Sequence, residues 1–501
     1  MYRDIQVKQY SKLISKISKD LGPNFQTLCS PTFSKQETVT FLFNSIFSTS
    51  DQKKPKFTHN LLSTILFIPR LAWMFIKVLL ISQFLKINYI PEQSVIFRSW
   101  LVPRCFSNNN FRDEYFKDLP EDLSSSEAVV TCYSGTDVKL LIKFTKLLKN
   151  QSRKNVYHSL GLLSVSDVFQ LFWEYIRHAL IIIKKPYFLN GVNITPLVNQ
   201  SCFNDYVKLN SFEAFSEKYK CRRLIKHKIK AFVYVFENQS WEKVACHEFK
   251  GANIKTIAYQ SSGFSKRFLN FYPNKIDCLI DPAPDVILTV GHNFKKHLLE
   301  NAFFKCPIEE FCALRFSYPF HGNRYTVQAP NRQIHRHLLY AFSVNLFEYK
   351  QIIEDLIDVF GNSDVVVDLK FHPLYSRETR QFTSLLPSNF QIIDHVEIKR
   401  VNMIYDCVIF NDNSFGIECL FFGIKCFEYQ SECNKDDLRL FYFNEWPSVI
   451  SKLQLENLRD QLISQKFIKC YNEKNIRKYL NRMYRPYTGE EFNKFKKILN
   501  N

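Results

Sequence analysis

The chain has 501 residues, which is long enough for two domains that each have a substantial core. Hydrophobic residues make up 46% of the chain, and this content excludes general disorder. The formal net charge of +19 indicates an anionic partner, but no nucleic-acid-binding signature or basic tail accompanies it, so no nucleic acid is expected.

The cysteine pattern indicates a reducing compartment. The 14 cysteines are scattered and form no C-x-x-C pair, which argues against both a zinc ribbon and a disulfide framework. The opening residues, MYRDIQVKQYSKLISK, contain no apolar core of a signal peptide. We therefore expect a cytoplasmic protein.

Residues 1–93 are predicted to form a helical, membrane-proximal extension. Leu61–Leu85 is the most apolar segment of the chain, but Pro69, Arg70 and Lys77 interrupt it. An arginine inside a bilayer costs about 2.5–3.5 kcal/mol even on the insertion scale. The pattern favours a helix that packs on the protein or lies in the membrane interface over one that spans the membrane.

Residues 94–320 are predicted to form a first α/β domain. Apolar strands alternate with helical patterns here, and the strands are SVIFRSWLV, EAVVTCY, KNVYHSL, AFVYVF, KTIAYQ and PDVILTV. This alternation predicts a parallel sheet that binds ligands at the carboxyl ends of its strands. One dense basic cluster, Lys218–Lys230, is either a solvated helix face or a site that attracts anionic lipid head groups.

Residues 320–335 are polar and are predicted to link the first domain to a second one over residues 335–470. Its predicted strands are HLLYAFSV, VVVDLKF, CVIFND and KCFEY, and charged helices over residues 471–501 could return to the first domain.

Two segments of the second domain carry chemical groups. His372-Pro373 follows one strand, and Asn413-Ser414 precedes a helix that ends at Gly423. Free N–H groups at a helix N-terminus favour a phosphate. Alternatively, Ser414 only caps its helix and His372 is an ordinary loop histidine.

These segments together resemble the nucleotide-binding half of GT-B glycosyltransferases. The motifs are K-x-H-P, from Lys370 to Pro373, and N-S-x-G-x-E-x-x-x-x-G, from Asn413 to Gly423. The resemblance is to enzymes that use CMP-activated acidic sugars, namely Kdo and sialic-acid-like nonulosonates. It implies an α/β fold of two Rossmann-like domains with a cleft between them. It also implies that His372 contacts the nucleotide and that Ser414 contacts its phosphate.

The first domain resembles bacterial glycosyltransferases of lipopolysaccharide and capsule assembly. The matching segments are FRDEYFKDLP, E-N-Q-x-W-E from Glu237 to Glu242, Y-Q before Ser261, P-D-x-I-L-T-x-G, and A-L-R ending at Arg315. That family usually has a histidine after Y-Q, where this chain has Ser261. The resemblance implies acceptor or cleft contacts at Asn238, Gln260, Ser261 and Ser262.

An inverting transfer needs a base for the acceptor hydroxyl and positive charge or N–H dipoles for the leaving phosphate. Glu237 directly follows a buried strand and is the first candidate base, with a pKa raised by partial burial. Asp113 and Asp137 also follow strands and are further candidates. Alternatively, Glu237 only interacts with the helix dipole and with its neighbours Asn238 and Gln239.

On the donor side the candidates share a position near a strand end or the helix start: Lys370, His372, Pro373, Asn413, Ser414, Phe415, Gly416, Glu418 and Arg315. Positive charge would come from Lys370 or Arg315. The phosphate would be bound by His372, Ser414 and the N–H groups of Phe415 and Gly416. Glu418 would accept a hydrogen bond from a sugar or ribose. The alternatives are a solvated Lys370, an ion-paired Arg315 and a helix-stabilising Glu418. No Asp-x-Asp motif ends a strand, so we expect no metal and no cofactor beyond the sugar nucleotide.

The leading hypothesis is a peripheral enzyme on the cytoplasmic face of the inner membrane that builds lipopolysaccharide or capsule. Its partners would be a CMP-sugar, a lipid-linked or oligosaccharide acceptor and an anionic membrane surface. One alternative keeps the fold but uses a UDP- or GDP-sugar or CDP-glycerol donor. The other is a non-catalytic basic scaffold that binds membrane or nucleic acid.

Overall fold

The computed structural model describes residues 2–22, 24–35, 64–107, 110–124, 127–150, 155–261, 263, 268–316, 336–343, 346–372, 378–411, 413, 415–422, 424–430, 449–464, 478 and 480–500. The chain divides into two compact units. Unit 1 comprises Met1–Ser261, Phe268–Arg315 and Arg485–Asn501, and unit 2 comprises Ser262–Arg267 and Phe316–Tyr484. The last residues of the chain therefore belong to unit 1.

Each unit contains one parallel sheet. The strands of unit 1 are β1 (Val95–Trp100), β2 (Ala128–Tyr133), β3 (Val156–His158), β4 (Ala231–Val235), β5 (Lys255–Gln260), β6 (Val286–Thr289) and β7 (Ile308–Glu310). Those of unit 2 are β8 (His337–Ala341), β9 (Val366–Lys370), β10 (Phe390–Ile392), β11 (Cys407–Phe410), β12 (Lys425–Tyr429) and β13 (Val449–Ile450). Two small hairpins, Phe106–Ser107 with Asn110–Phe111 and Phe188–Leu189 with Val192–Asn193, complete the strands of the described residues.

The helices are α1 (Tyr2–Leu21), α2 (Phe25–Cys29), α3 (Phe67–Phe84), α4 (Leu119–Asp122), α5 (Val138–Asn150), α6 (Val165–His178), α7 (Thr195–Val207), α8 (Phe212–Lys226), α9 (Ser240–Lys250), α10 (Lys275–Ile280), α11 (His292–Asn301), α12 (Tyr349–Phe360), α13 (Val401–Ile404), α14 (Phe415–Leu420), α15 (Lys452–Ile463) and α16 (Gly489–Asn500).

The strand order is Rossmann-like in both units. The order is β7-β6-β5-β4-β1-β2-β3 in unit 1 and β10-β9-β8-β11-β12-β13 in unit 2, and every neighbouring pair is parallel. β2 and β4 are buried at every position, which fits their mostly apolar rather than alternating sequences. The predicted α/β fold with two Rossmann-like domains is confirmed.

The amino-terminal segment is partly integrated into unit 1. Tyr10, Ile14 and Ile17 of α1 are fully buried in one apolar cluster with Ile194 and Val198. The apolar segment predicted over residues 61–85 forms α3, although its first three residues lie outside the described ones. Pro69 lies in the first turn of α3, where an N–H would have no intrahelical partner, so it does not break the helix.

Most cations of the basic cluster Lys218–Lys230 pair with carboxylates. Lys220 is fully buried and pairs with Glu217 at 2.5 Å. The other ion pairs are Lys218–Glu174, Arg222–Glu248, Arg223–Asp167 and Lys228–Glu92. Three of these ion pairs join α8 to α6 and α9, and the attraction of anionic lipid to the cluster stays a prediction.

Candidate functional site

Each sheet has one point at which the direction of its strand order reverses. In unit 1 this point lies between β1 and β4, and in unit 2 it lies between β8 and β11. Open parallel sheets bind ligands beyond the carboxyl ends of the strands at such a point. The residues that follow these four strands are therefore the candidate ligand-binding residues of the two units.

Glu237 lies two residues beyond the end of β4, at the switch point of unit 1. Its backbone N–H donates to Oε1 of Glu242 at 3.0 Å, and so does the N–H of Gln239. The N–H of Asn238 donates to Oε2 of the same carboxylate at 3.0 Å. The buried Glu242, in the first turn of α9, therefore fixes the backbone that presents Glu237.

Neighbouring amides also hold Glu237 itself. Its Oε2 accepts from Nε2 of Gln239, while Oε1 of Gln239 accepts from Nε1 of Trp241 at 3.0 Å. Asn238 has a φ of 52° and donates from Nδ2 to the carbonyl of Asn270 at 2.6 Å. Asparagine is one of the few residues that adopt this left-handed conformation readily. The half-buried carboxylate of Glu237 is thus oriented rather than free to rotate.

Tyr115 and Arg315 belong to the same neighbourhood of unit 1. Burial raises the pKa of Tyr115, the carboxylate of Glu237 raises it further, and Arg315 opposes both effects. Nε of Arg315 lies 3.3 Å from Oε1 of Glu114. Arg315 thus belongs to unit 1, as Glu237 does, whereas the other donor candidates belong to unit 2.

The two further base candidates have structural roles. Asp113 is buried, and its Oδ1 accepts from the N–H groups of Tyr115 at 2.9 Å and Phe116 at 2.6 Å. Burial raises the pKa of Asp113. Asp137 is exposed and caps α5 by accepting from Lys139 at 2.9 Å. Because β1 separates β2 from β4, the ends of these two strands are roughly 10 Å apart.

Of the predicted cleft residues, Gln260 is the last residue of β5, the strand next to β4, and Ser261 follows it. Oε1 of Gln260 accepts from the N–H of Val290 at 3.1 Å and so joins the ends of β5 and β6. Ser261 is buried, and its hydroxyl has no hydrogen-bond partner among the described residues. Ser262 lies outside the described residues.

A network of amide and hydroxyl groups joins β8 and β11 at the switch point of unit 2. Oδ1 of Asn411 accepts from the N–H of Ser343 at 3.1 Å, and its Nδ2 donates to Oγ of Ser343 at 3.1 Å. The same Nδ2 donates to Oε2 of the fully buried Glu348 at 3.0 Å. These bonds fix the position of the chain that leads to Asn413.

The side chain of Asn413 caps the start of α14. Its Oδ1 accepts from the N–H groups of Phe415 at 3.0 Å and Gly416 at 3.4 Å, and its Nδ2 donates to the carbonyl of Ala341 at 2.8 Å. The Asn413 side chain thus caps the two N–H groups predicted to bind the leaving phosphate. Their contact with a phosphate stays a prediction. Ser414 lies outside the described residues.

The end of β9 lies against the same helix. Nζ of Lys370 is 4.8 Å from the ring centroid of Phe415, and the N–H of His372 donates to Oη of Tyr349 at 3.4 Å. Glu418 is half-buried on α14. The structure thus brings Lys370 to the start of α14, while Pro373 lies outside the described residues.

The sequence patterns assign no binding or catalytic role to three residues at these switch points. Tyr115 and Glu242 lie inside recognised motifs, and Asn411 directly follows an apolar strand. Asn411 could have been identified from its position, because it is a polar residue directly after a buried strand. The described residues contain no group of three or more His, Cys, Asp or Glu residues that could hold a metal ion.

No protein-family model matches the chain, and no curated protein matches it in sequence. Among solved structures it is similar to UDP-GlcNAc 2-epimerase from Methanocaldococcus jannaschii, with 11% identity, a TM-score of 0.42 and coverage of 81% of this chain and 99% of that one. The glycosyltransferase SnogD from Streptomyces nogalater is similar to the same degree, with 11% identity, a TM-score of 0.42 and coverage of 81% of this chain and 99% of that one. The lipopolysaccharide outer core galactosyltransferase WaaB has 11% identity, a TM-score of 0.41 and coverage of 81% of this chain and 99% of that one. At these identities and TM-scores the likeness assigns no function. A functional assignment has to come from the geometry of the two units.

Proposed function

We propose that the chain is a GT-B glycosyltransferase. It transfers an acidic sugar, Kdo or a nonulosonate, from a CMP-activated donor to a growing surface glycan. The observation that carries this proposal is the repetition of one Rossmann-like strand order in two units, each with polar side chains at its switch point. Unit 2 is the donor-binding unit and unit 1 supplies the base.

Glu237 removes the proton of the acceptor hydroxyl. Its carboxylate is at the carboxyl end of β4, and Gln239 holds one of its oxygens by a hydrogen bond. An oriented carboxylate is suited to proton abstraction because the base must lie within hydrogen-bond reach of the hydroxyl. Tyr115 and Arg315, from the same neighbourhood, contact the acceptor or the sugar.

Lys370 and His372 bind the nucleotide phosphate. Lys370 is the last residue of β9 and His372 follows it two residues later; β9 lies next to β8, which borders the switch point of unit 2. The ammonium of Lys370 supplies the positive charge that stabilises a leaving phosphate, and this requires no metal ion. The choice of CMP over other nucleotides rests on the resemblance of the Lys370–Pro373 and Asn413–Gly423 segments to enzymes that use CMP-activated sugars.

Thermal unfolding with CMP, CDP, UDP and GDP tests the donor site. A ligand that binds only the folded state adds about 2.7 kcal/mol of stability at 100 times its dissociation constant, so binding is readily detected. We expect CMP to stabilise the wild type, with or without EDTA. We expect His372→Ala to weaken CMP binding by about 10- to 100-fold, as for a lost hydrogen bond to a charged group.

His395→Ala is the matched control, because His395 is an exposed histidine of unit 2. It should bind CMP as the wild type does. Stabilisation by UDP or GDP instead of CMP would keep the enzyme class but reject the acidic-sugar donor. No stabilisation by any of these nucleotides would reject the donor site and favour the scaffold alternative.

A further inference from the structure

We propose that α3 and α6 of unit 1 together form a docking surface for an anionic phospholipid membrane. We call it the α3–α6 face and define it by Trp73, Ile76 and Leu80 of α3 and Phe169, Trp173 and Ile176 of α6. The observations that carry it are independent of the proposed donor and base. Transferase activity and membrane binding can therefore fail separately.

Helix α3 packs on unit 1 along one side only. Leu71, Val78 and Ser82 are buried on that side, whereas Trp73 is 57% exposed and Leu80 is 63% exposed. By length and composition, α3 is the one described helix that could cross a membrane. A large apolar surface left open on a folded domain marks an interaction site.

Helix α6 extends the same surface. Its buried side includes Val168, Leu171 and Tyr175, yet Phe169, Trp173 and Ile176 are also apolar and are between 51% and 60% exposed. The ring of Phe75 lies 5.1 Å from that of Phe169, measured between centroids, and joins the two helices. Two apolar, exposed helix sides therefore form one continuous face.

The charges at this face favour an anionic partner. The segment of α3 contains Arg70 and Lys77 and no acidic residue. On α6, Arg177 is exposed. Both carboxylates of α6 are paired with cations of α8, in the ion pairs Asp167–Arg223 and Glu174–Lys218. The cations at the face are thus not neutralised by the acidic residues of α6.

Two of these cations lie over tryptophan rings. Nζ of Lys77 lies 5.3 Å from the ring centroid of Trp73, and Cζ of Arg177 lies 5.3 Å from that of Trp173. A tryptophan beside a cationic head group is suited to the boundary between acyl chains and phosphates, where one end of the pair is apolar and the other is solvated. This pairing occurs once on each helix.

The packing of α3 favours a helix that lies in the interface over one that crosses the bilayer. Directly after α3, the N–H of Ile87 donates to the carbonyl of Gly161 at 3.0 Å. A Cβ at Gly161 would lie 2.0 Å from the carbonyl oxygen of Leu85, so the backbones are in direct contact. A helix fixed to the domain in this way inserts only its exposed side, to a depth of about 5–10 Å.

Sedimentation of the full chain with lipid vesicles tests the proposal. We expect it to pellet with vesicles of phosphatidylcholine and phosphatidylglycerol, to pellet less at high salt, and to bind phosphatidylcholine alone weakly. Trp73→Ser combined with Trp173→Ser should weaken binding by about tenfold or more, since two exposed apolar anchors are lost. Brominated lipids should quench tryptophan fluorescence most strongly when bromine lies near the head groups.

The matched control is Leu279→Ser combined with Leu299→Ser, which removes two exposed apolar residues of unit 1 from other helices. Its vesicle binding should equal that of the wild type. A wild type that stays in the supernatant, or a double tryptophan variant that binds unchanged, would overturn the proposal. So would a dimer in analytical ultracentrifugation that the tryptophan variant dissociates, since a second copy would then cover the face. Quenching that is strongest at the bilayer centre would indicate a spanning helix instead.

Discussion

At the scale of single residues, the glycine of the N-S-x-G segment has a packing role. A Cβ at Gly416 would lie 2.1 Å from the ring of Phe410, the last residue of β11. The motif resemblance predicts a phosphate contact at this position, but the close approach of α14 to β11 already requires glycine. A motif match alone therefore did not identify what this residue does.

Gly416→Ala should destabilise unit 2. The added methyl group has to displace the buried ring of Phe410, and overpacking of this kind costs typically 1–3 kcal/mol. Urea unfolding checks this, with Gly489→Ala as the control, because a Cβ at Gly489 meets no atom within 4 Å. Equal midpoints for Gly416→Ala and the wild type would show that the ring moves aside without cost.

Asp205 makes the stability of unit 1 depend on pH. Burial raises its pKa from 3.8 to about 6, while the hydroxyl of Thr32 donates to its Oδ2 at 2.6 Å. The folded state therefore binds a proton more tightly than the unfolded state does. The stability from this group is fully present below pH 3.8 and is lost as pH rises through about 6.

Asp205→Asn should remove this dependence. The raised pKa of Asp205 corresponds to a loss of roughly 3 kcal/mol in the free energy of unfolding as pH rises from below 3.8 to above about 6, at about 1.4 kcal/mol for each unit of pKa. Unfolding free energies at pH 4 and pH 7 should differ less in the variant than in the wild type. If both proteins show the same pH profile, Asp205 does not titrate within that window.

At the scale of secondary-structure elements, α3 is held by the contact of its C-terminus with Gly161. Gly161→Ala should push α3 away from unit 1 and raise hydrogen exchange in Phe67–Phe84, because a Cβ there would collide with backbone rather than with a flexible side chain. Gly251→Ala is the control, since its Cβ would meet only the carbonyl oxygen of Glu248, at 3.6 Å. Unchanged exchange in α3 would show that other contacts hold it.

Most elements could be predicted from the sequence because buried parallel strands are continuous apolar runs. CVIF and AFVYV form β11 and β4 as expected, and the helix predicted after Asn413-Ser414 is α14. The hydrogen-bond partners of the side chains at the ends of these elements could not be predicted, since these partners depend on loop geometry. Asn413 satisfies the N–H groups of α14, and nothing in its sequence distinguishes this from a free phosphate site.

At the scale of the whole molecule, the alternation of strands and helices predicts two α/β units but not their strand order. That order determines which loops meet. Asp113 and Asp137 each follow a strand as Glu237 does, yet the order in unit 1 separates Asp137 from β4 by one strand. Tyr115 is electrostatically coupled to Glu237 although the two are distant in sequence, and no local pattern carries that information.

Turnover by Glu237→Gln tests the central claim most directly, because it separates the base in unit 1 from the nucleotide site in unit 2. The measurement is the release of CMP from a CMP-activated acidic sugar, with CMP binding followed by thermal unfolding of the same samples. We expect turnover to fall by about 10²- to 10⁴-fold, as for the loss of a general base, with CMP binding unchanged. Glu300→Gln, at an exposed glutamate of unit 1, should behave as the wild type does. Wild-type turnover by Glu237→Gln would contradict the assignment of the base and, with it, the proposed division of roles between the two units.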